Sequence, residues 1–201
     1  MKKFCLLFMI ALSLFIFSGI PPAQAFDAFL TAGPSTLYTG LDANRAMDQG
    51  YMRIGFSGLY TNEDKGGYKI FEGHVAVGND ILIEGLSGEL GIKGLIGSTD
   101  TGHGTSSLGG LAFMAGGAYT LSKIIFPVST KIFAEVSWAP DPLAFMDMKR
   151  YFDTKLGVDV YIVEKAALEF VYQHYGAEIK GIQRHWTKEN NLVTVGIKLK
   201  F

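Results

Sequence analysis

From Tyr51 onward, apolar residues alternate with small, polar or charged ones in stretches of about ten positions. The clearest stretch puts Leu86, Gly88, Leu90, Ile92, Gly94 and Ile96 on one face and Ser87, Glu89, Gly91 and Lys93 on the other. Ile132, Ala134, Val136 and Trp138 alternate in the same way with Lys131, Phe133, Glu135 and Ser137. Phe152, Thr154, Leu156, Val158 and Val160 oppose Asp153, Lys155, Gly157 and Asp159. Val193, Val195, Ile197, Leu199 and Phe201 oppose Thr194, Gly196, Lys198 and Lys200. A period of two belongs to strands, whose successive side chains point to opposite faces. Weaker alternation over Tyr51–Thr61, Tyr68–Val77, Leu108–Leu121 and Ala167–Tyr175 completes a set of eight strands. At about 9–11 residues each, they match what a tilted strand needs to cross a bilayer and exceed the usual strand of a soluble sheet.

Thr101 to Ser122 carries no Lys, Arg, Asp or Glu over 22 positions, which invites a helical reading. Its six glycines, at 102, 104, 109, 110, 116 and 117, each cost about 1 kcal/mol inside a helix. A strand is therefore expected, with Leu111, Phe113, Ala115, Gly117, Tyr119 and Leu121 on its apolar face. Residues 26–50 alternate weakly and contain Pro34, leaving open an extra strand, a periplasmic extension or an inserted segment.

Alternation does not say which face is inside. A soluble barrel turns its apolar face inward, whereas a membrane barrel turns it toward lipid. Three features favour the membrane. The expected connections at 62–67, 97–107, 140–150 and 176–190 are mostly longer than those at 78–85, 122–129 and 161–166, as long outer loops and short periplasmic turns would be. Tyr60, Trp138 and Phe152 gather near the expected outer rim and Phe201 at the inner one, as aromatic girdles do at headgroup level. The alternation also runs to Phe201, which resembles the C-terminal assembly signal of outer-membrane barrels. The expected fold is all-β, an antiparallel up-and-down transmembrane β-barrel of about 8 strands, with 10 as the next count.

Composition narrows the classes. The 201 residues include 25 glycines, 6 prolines, 13% aromatics and 18% charged residues, with a net charge of -1. That balance excludes a disordered or nucleic-acid-coating chain. Lys2 and Lys3, the apolar run Phe4–Ile20, and Ala23-Gln24-Ala25 follow the pattern of a secretory signal peptide over residues 1–25. Cys5 is the only cysteine and falls in that leader, so neither a disulfide nor a cysteine metal site is expected afterwards. The expected organisation is thus a leader at 1–25, an illegible segment at 26–50 and the barrel at 51–201, located in a bacterial outer membrane.

With the charged face inward, the lumen would hold Arg53, Lys93, Lys131, Lys155 and Lys198 against Glu72, Glu89, Glu135, Asp153, Asp159 and Glu169. An eight-stranded lumen is just wide enough for side chains to fill, so these groups are expected to pair in a network, and a tenth strand would make a narrow channel credible. Glu72 and His74 share a strand face, as a base and its orienting carboxylate do, but no nucleophile is placed beside them, and a lumen pair is the expectation. Asp100 and His103 share a Gly-rich outer loop, where a barrel hydrolase of the omptin kind keeps its acid and base. Lys180, Arg184, His185, Trp186 and Lys188, beside Tyr175, could hold lipopolysaccharide phosphates at the rim. No metal site or cofactor is expected. The expected partners are outer-membrane lipid, lipopolysaccharide and the barrel assembly machinery, and no nucleic acid.

From Ile132 to Tyr175 the chain reads IFAEVSWAPDPLAFMDMKRYFDTKLGVDVYIVEKAALEFVYQHY. It contains a strand ending in an aromatic, an Ala-Pro-Asp corner, a Tyr-started strand and a Glu-Phe-x-Tyr strand. This stretch resembles the YfaZ family of outer-membrane proteins, and the leader, length and Phe201 fit the same family. The resemblance implies location and fold, with no catalytic or ligand residues to carry over. The expected function is an integral outer-membrane barrel with a structural or interaction role, or a narrow channel. The alternatives are a membrane-embedded hydrolase acting on lipid or peptide and a soluble periplasmic ligand-binding barrel.

Overall fold

The computed structural model describes residues 25–62, 67–81, 83–100, 104–121, 128–180 and 185–201, and of 185–188 the backbone alone. The leader expected over 1–25 lies, apart from Ala25, outside the described residues. The strands are β1 (Ala25–Ala32), β2 (Thr36–Ala46), β3 (Tyr51–Thr61), β4 (Tyr68–Asp80), β5 (Leu86–Asp100) and β6 (Thr105–Leu121). They continue with β7 (Thr130–Ala139), β8 (Ala144–Met146), β9 (Met148–Val163), β10 (Ala166–Lys180) and β11 (His185–Lys200). Each long strand lies antiparallel to its sequence neighbour, and β1 pairs with β11, so the sheet closes. Short β8 continues β7: both pair with β6, β7 along Phe113–Leu121 and β8 along Leu108–Gly110. Pro140 and the 3-10 turn Asp141–Leu143 interrupt them, because proline has no N–H to give the ladder.

The barrel therefore has ten long strands rather than eight. The additional pair is β1 and β2, so residues 25–46 belong to the barrel wall, and the even count is kept because two strands enter together. The expected loop asymmetry is also corrected. Gly97–Asp100 and Thr105–Ser107 lie in the β5–β6 ladder, and Gly176–Lys180 pairs with His185–Glu189 between β10 and β11. Most of these two long connections, 97–107 and 176–190, continues the strands, hidden by glycine and polar residues.

Residues 25 and 201 meet at one end, the near end, where Phe26 and Phe201 exchange backbone hydrogen bonds of 3.2 and 2.8 Å. Followed through its paired residues, a rung from Phe26 passes Ala43, Ile54, Val75, Ile92, Phe113, Trp138, Phe152 and Gly176 to Glu189, twelve residues up β11 from Phe201. Such a stagger tilts strands by roughly 40° to the barrel axis.

The two faces are inverted relative to a soluble sheet. Leu90 is 67% exposed, Ile197 53% and Val136 41%, whereas Glu72, Lys93 and Asp159 are 2%, 1% and 0% exposed. The outward apolar residues form a band from Phe26, Tyr119 and Phe201 at the near end up to Tyr60, Trp138 and Phe152. Above that band the phase reverses. On β10, Ala177 and Ile179 point inward at 1% exposure each, while Glu178 and Lys180 point outward. On β9 a bulge opposite Glu178 and Ile179 sends Lys149 and Arg150 outward together and returns Met148 to the interior. The far-end collar is thus built like a soluble barrel, over a band built the other way.

Candidate functional site

The lumen falls into three levels, each fixed by the inward positions of successive strands. At the far end, Tyr68, Tyr151 and Tyr175 stack edge to face with centroids 4.7 and 5.3 Å apart. Leu59, Ile70, Leu95, Leu108, Met148 and Ile179 pack around them, none more than 4% exposed. These side chains fill the barrel where a channel would need an opening, since residues facing a water-filled pore would be wetted.

The middle level holds the charges. Lys93 on β5 lies 2.8 Å from Glu135, 3.2 Å from Asp153 and 3.7 Å from Glu72, carboxylates of three different strands. Lys155 donates to Glu72 at 3.4 Å and to the Tyr38 hydroxyl at 2.8 Å, and its ammonium stands 4.7 Å from the Tyr38 ring centroid. The Tyr151 hydroxyl donates to Glu72 at 2.9 Å, the Ser57 hydroxyl donates to Glu72 at 3.3 Å, and Gln173 donates to Asp153 at 2.7 Å. Arg53 spans the barrel to Glu89, to Glu135 at 3.0 Å and to Asp42 at 3.4 Å. An ion buried in a medium of low polarity is tolerated only when paired and hydrogen-bonded, and each of these cations meets two or more carboxylates.

Nearer the near end, Lys198 pairs with Asp159 at 3.0 Å and Glu169 at 3.7 Å. Lys131 faces the same level without a carboxylate in ion-pair distance among the described residues, although Asp159 is its register partner. Beneath the network lies a cavity of about 370 Å³, reaching the near end at Ala25, Asp80, Ser87 and Lys200.

Glu72 and His74 share a face but not a role. Glu72 belongs to the lysine network, and the carboxylate beside His74 is Asp42, 3.4 Å away. Asp42, Gly55 and His74 are successive partners on one rung. A Cβ on Gly55 would run into both the Asp42 carboxylate and the His74 ring, so glycine is what lets them meet across β3. Among the described residues, no hydroxyl or thiol is hydrogen-bonded to this pair. Asp100 ends β5, and His103 lies outside the described residues. Of the expected lipopolysaccharide contacts, Lys180 is exposed at the end of β10. Arg184 lies outside the described residues, and Trp186 and Lys188 are placed only as backbone opposite Ile179 and Ala177. Phe201 points outward, 69% exposed.

Asp42, Tyr38 and Asp27 were missed because they sit in the segment without clear alternation. The signal was there: Asp27, Phe29 and Thr31, like Tyr38, Asp42 and Asn44, fall on one parity. Tyr151 and Gln173 were missed because a tyrosine or glutamine inside a barrel leaves no charge pattern.

No family model matches the chain, and no curated protein matches it. Among solved structures, a copper transporter, OprC, is 16% identical over 86% of this chain and 33% of its own, with a TM-score of 0.31. The NanC porin, in a rhombohedral crystal form, is 9% identical over 88% of this chain and 99% of its own, with a TM-score of 0.42. The chain spans about a third of the length of the copper transporter. Likeness at this level says nothing of what the barrel binds or passes; its class, a closed antiparallel barrel with charges inside, rests on its own coordinates.

Proposed function

We propose that the protein is an integral outer-membrane barrel with a closed lumen, serving a structural or interaction role rather than conducting solutes. The observation that carries this reading is the inverted band, in which Leu90, Val136 and Ile197 face outward while Glu72, Lys93 and Asp153 are shut inside. In water such a surface would be a very large apolar patch; against acyl chains it is the expected exterior. The tyrosine and aliphatic packing at the far end favours closure over the narrow channel. Outer-membrane lipid covers the band, lipopolysaccharide meets the rim around Lys180, Arg184, Trp186 and Lys188, and the assembly machinery reads the strand ending in Phe201. Membership in the YfaZ family, from the resemblance of residues 132–175, belongs to the same proposal.

The test is twofold. The protein should fractionate with outer membranes and shift its electrophoretic mobility only after boiling, whereas release by a salt wash overturns the membrane reading. In planar bilayers it should stay silent, and Tyr68→Ala with Tyr175→Ala should produce current steps by removing two stacked rings. Discrete steps from the unaltered protein overturn closure.

A further inference from the structure

We propose that the outer wall across β3–β6 seats the lipid A end of lipopolysaccharide, with one acyl chain in a groove and a phosphate on Lys69. This rests on the membrane reading. It adds a contact half the ring away from Lys180, since β4 is five strands from β10 in either direction.

The groove is a hollow of about 650 Å³ in the outward face, at the upper edge of the apolar band, within the range of about 300–1,000 Å³ of ordinary ligand sites. Leu37, Tyr60, Phe71 and Ile96 wall it, each directed outward and 43–50% exposed. Its floor lies at Gly58, which interrupts the outward row of Phe56 and Tyr60; a Cβ added there would meet no atom within 4 Å. Met146 closes the groove on the β8 side. Phe145 and Met146 are consecutive yet both exposed, because Met146 adopts a φ of 61°, a left-handed conformation uncommon outside glycine.

Two rungs of the wall give the groove its polarity. The lower one pairs Thr39, Gly58, Phe71, Ile96 and Gly109 in turn. Its one hydroxyl, on Thr39, donates to the Phe29 carbonyl at 3.0 Å. The rung above pairs Tyr60, Lys69, Ser98 and Ser107. Lys69 is exposed, stands 5.9 Å from the Tyr60 ring centroid and has no carboxylate within ion-pair distance among the described residues. A cation beside an aromatic ring, at the edge of an apolar band, is placed for an anionic headgroup whose chain descends the wall below. The carboxylate at the other end of the rung, Asp147, accepts from the Ser107 N–H at 2.8 Å. It lies three strand spacings, roughly 14 Å, from Lys69, so the phosphate belongs at the Lys69 end. Ser98 and Ser107 carry the polar rung over two further strands, wider than a glycerol and suited to a phosphorylated sugar. A second copy of the chain fits less well: a two-fold contact presents the same patch twice, and would bring two Lys69 ammonium groups into one apolar interface.

The full-length barrel in detergent micelles should be titrated with lipid A, phosphatidylglycerol, dioleoylglycerol and inorganic phosphate, and the bound lipid counted by native mass spectrometry. Lipid A should bind most tightly, and Lys69→Gln should weaken it at least about tenfold, the loss of one charge-assisted hydrogen bond. Gly58→Leu, which fills the hollow, should weaken lipid A by a similar factor, and Lys69→Arg, which keeps the charge, should retain it. Affinity unchanged by Lys69→Gln overturns the phosphate contact, and affinity unchanged by Gly58→Leu overturns the groove. Phosphatidylglycerol bound as tightly overturns the choice of lipid A, dioleoylglycerol bound as tightly overturns the role of phosphate, and displacement by inorganic phosphate overturns the seated chain. No bound lipid A overturns the whole seat. The boiling shift is measured on every variant; where Gly58→Leu loses it, Lys69→Gln, a change at an exposed side chain, decides. A shifted band with lipid A binding unchanged in the variants removes only this seat, and a missing shift in the unaltered protein removes the barrel reading together with it.

Discussion

The far-end collar and the band below it share strands, β6, β9 and β10 among them, but follow opposite rules. In the collar, Leu108, Met148, Ala177 and Ile179 point inward and Arg150 and Lys180 outward. In the band, Leu90, Val136, Leu156 and Ile197 point outward and Glu72, Lys93, Asp153 and Lys155 inward. Between β10 and β11 the backbone pairing is continuous across the change, so hydrogen bonding does not set the phase. On the proposed membrane reading the surroundings do: where water would lie outside, the apolar side chains must supply the interior; where acyl chains would lie outside, they are satisfied there, and the interior is left to groups that can pair with each other.

The comparison breaks first at Lys93. Lys93→Met leaves Glu135, Asp153 and Glu72 facing one another at 1–13% side-chain exposure, and removing one partner of such a cluster costs about 3–5 kcal/mol. Urea titration of the boiling-sensitive band should register that loss; a change under 1 kcal/mol, on the order of a surface pair, would mean that the network is wetted. Next comes the outer face of the band. Val136→Lys should cost about 2–4 kcal/mol in lipid vesicles, whereas a soluble barrel would accept an outward lysine with little change. Tyr151→Phe, which removes the 2.9 Å hydrogen bond to Glu72 at the boundary of collar and network, should cost about 1–3 kcal/mol. A neutral result in the same titration would place the stabilisation of Glu72 with Lys155, Lys93 and Ser57. The smallest effect is expected in the collar's exterior: Lys180→Ala should stay within about 0.5 kcal/mol. A larger loss in lipopolysaccharide-containing vesicles than in phospholipid ones would locate a lipid contact there.

Much of the band was legible in the sequence, and little of the collar. Strands β5, β7, β9 and β11 showed their faces because apolar side chains outside and ions inside impose a strict period of two. Strands β1 and β2 did not, because Phe29 and Tyr38 are large apolar rings directed inward, 4.9 Å apart, and blur the contrast between faces. The far halves of β5, β6 and β10 read as loops because glycine, hydroxyl and charged residues replace the outward apolar ones above the band, and apolar residues such as Leu108, Ala177 and Ile179 point inward. The lumen charges were legible as a set, but their partners were not. That Arg53 would bridge β2, β5 and β7, or that His74 would meet Asp42 across Gly55, depends on register around a closed ring, which local pattern does not encode.

The join between β1 and β11 has six registered pairs, from Asp27 with Lys200 to Ala32 with Val195, against fifteen between β10 and β11. Under mechanical load a loop of links parts at the one with fewest bonds, and each ladder bond contributes only about 0.5–1.5 kcal/mol net. Pulled apart in a force microscope, the wall should therefore rip first along this suture and then peel strand by strand in both directions, so that β1 and β11 become the two free margins of a flat ribbon.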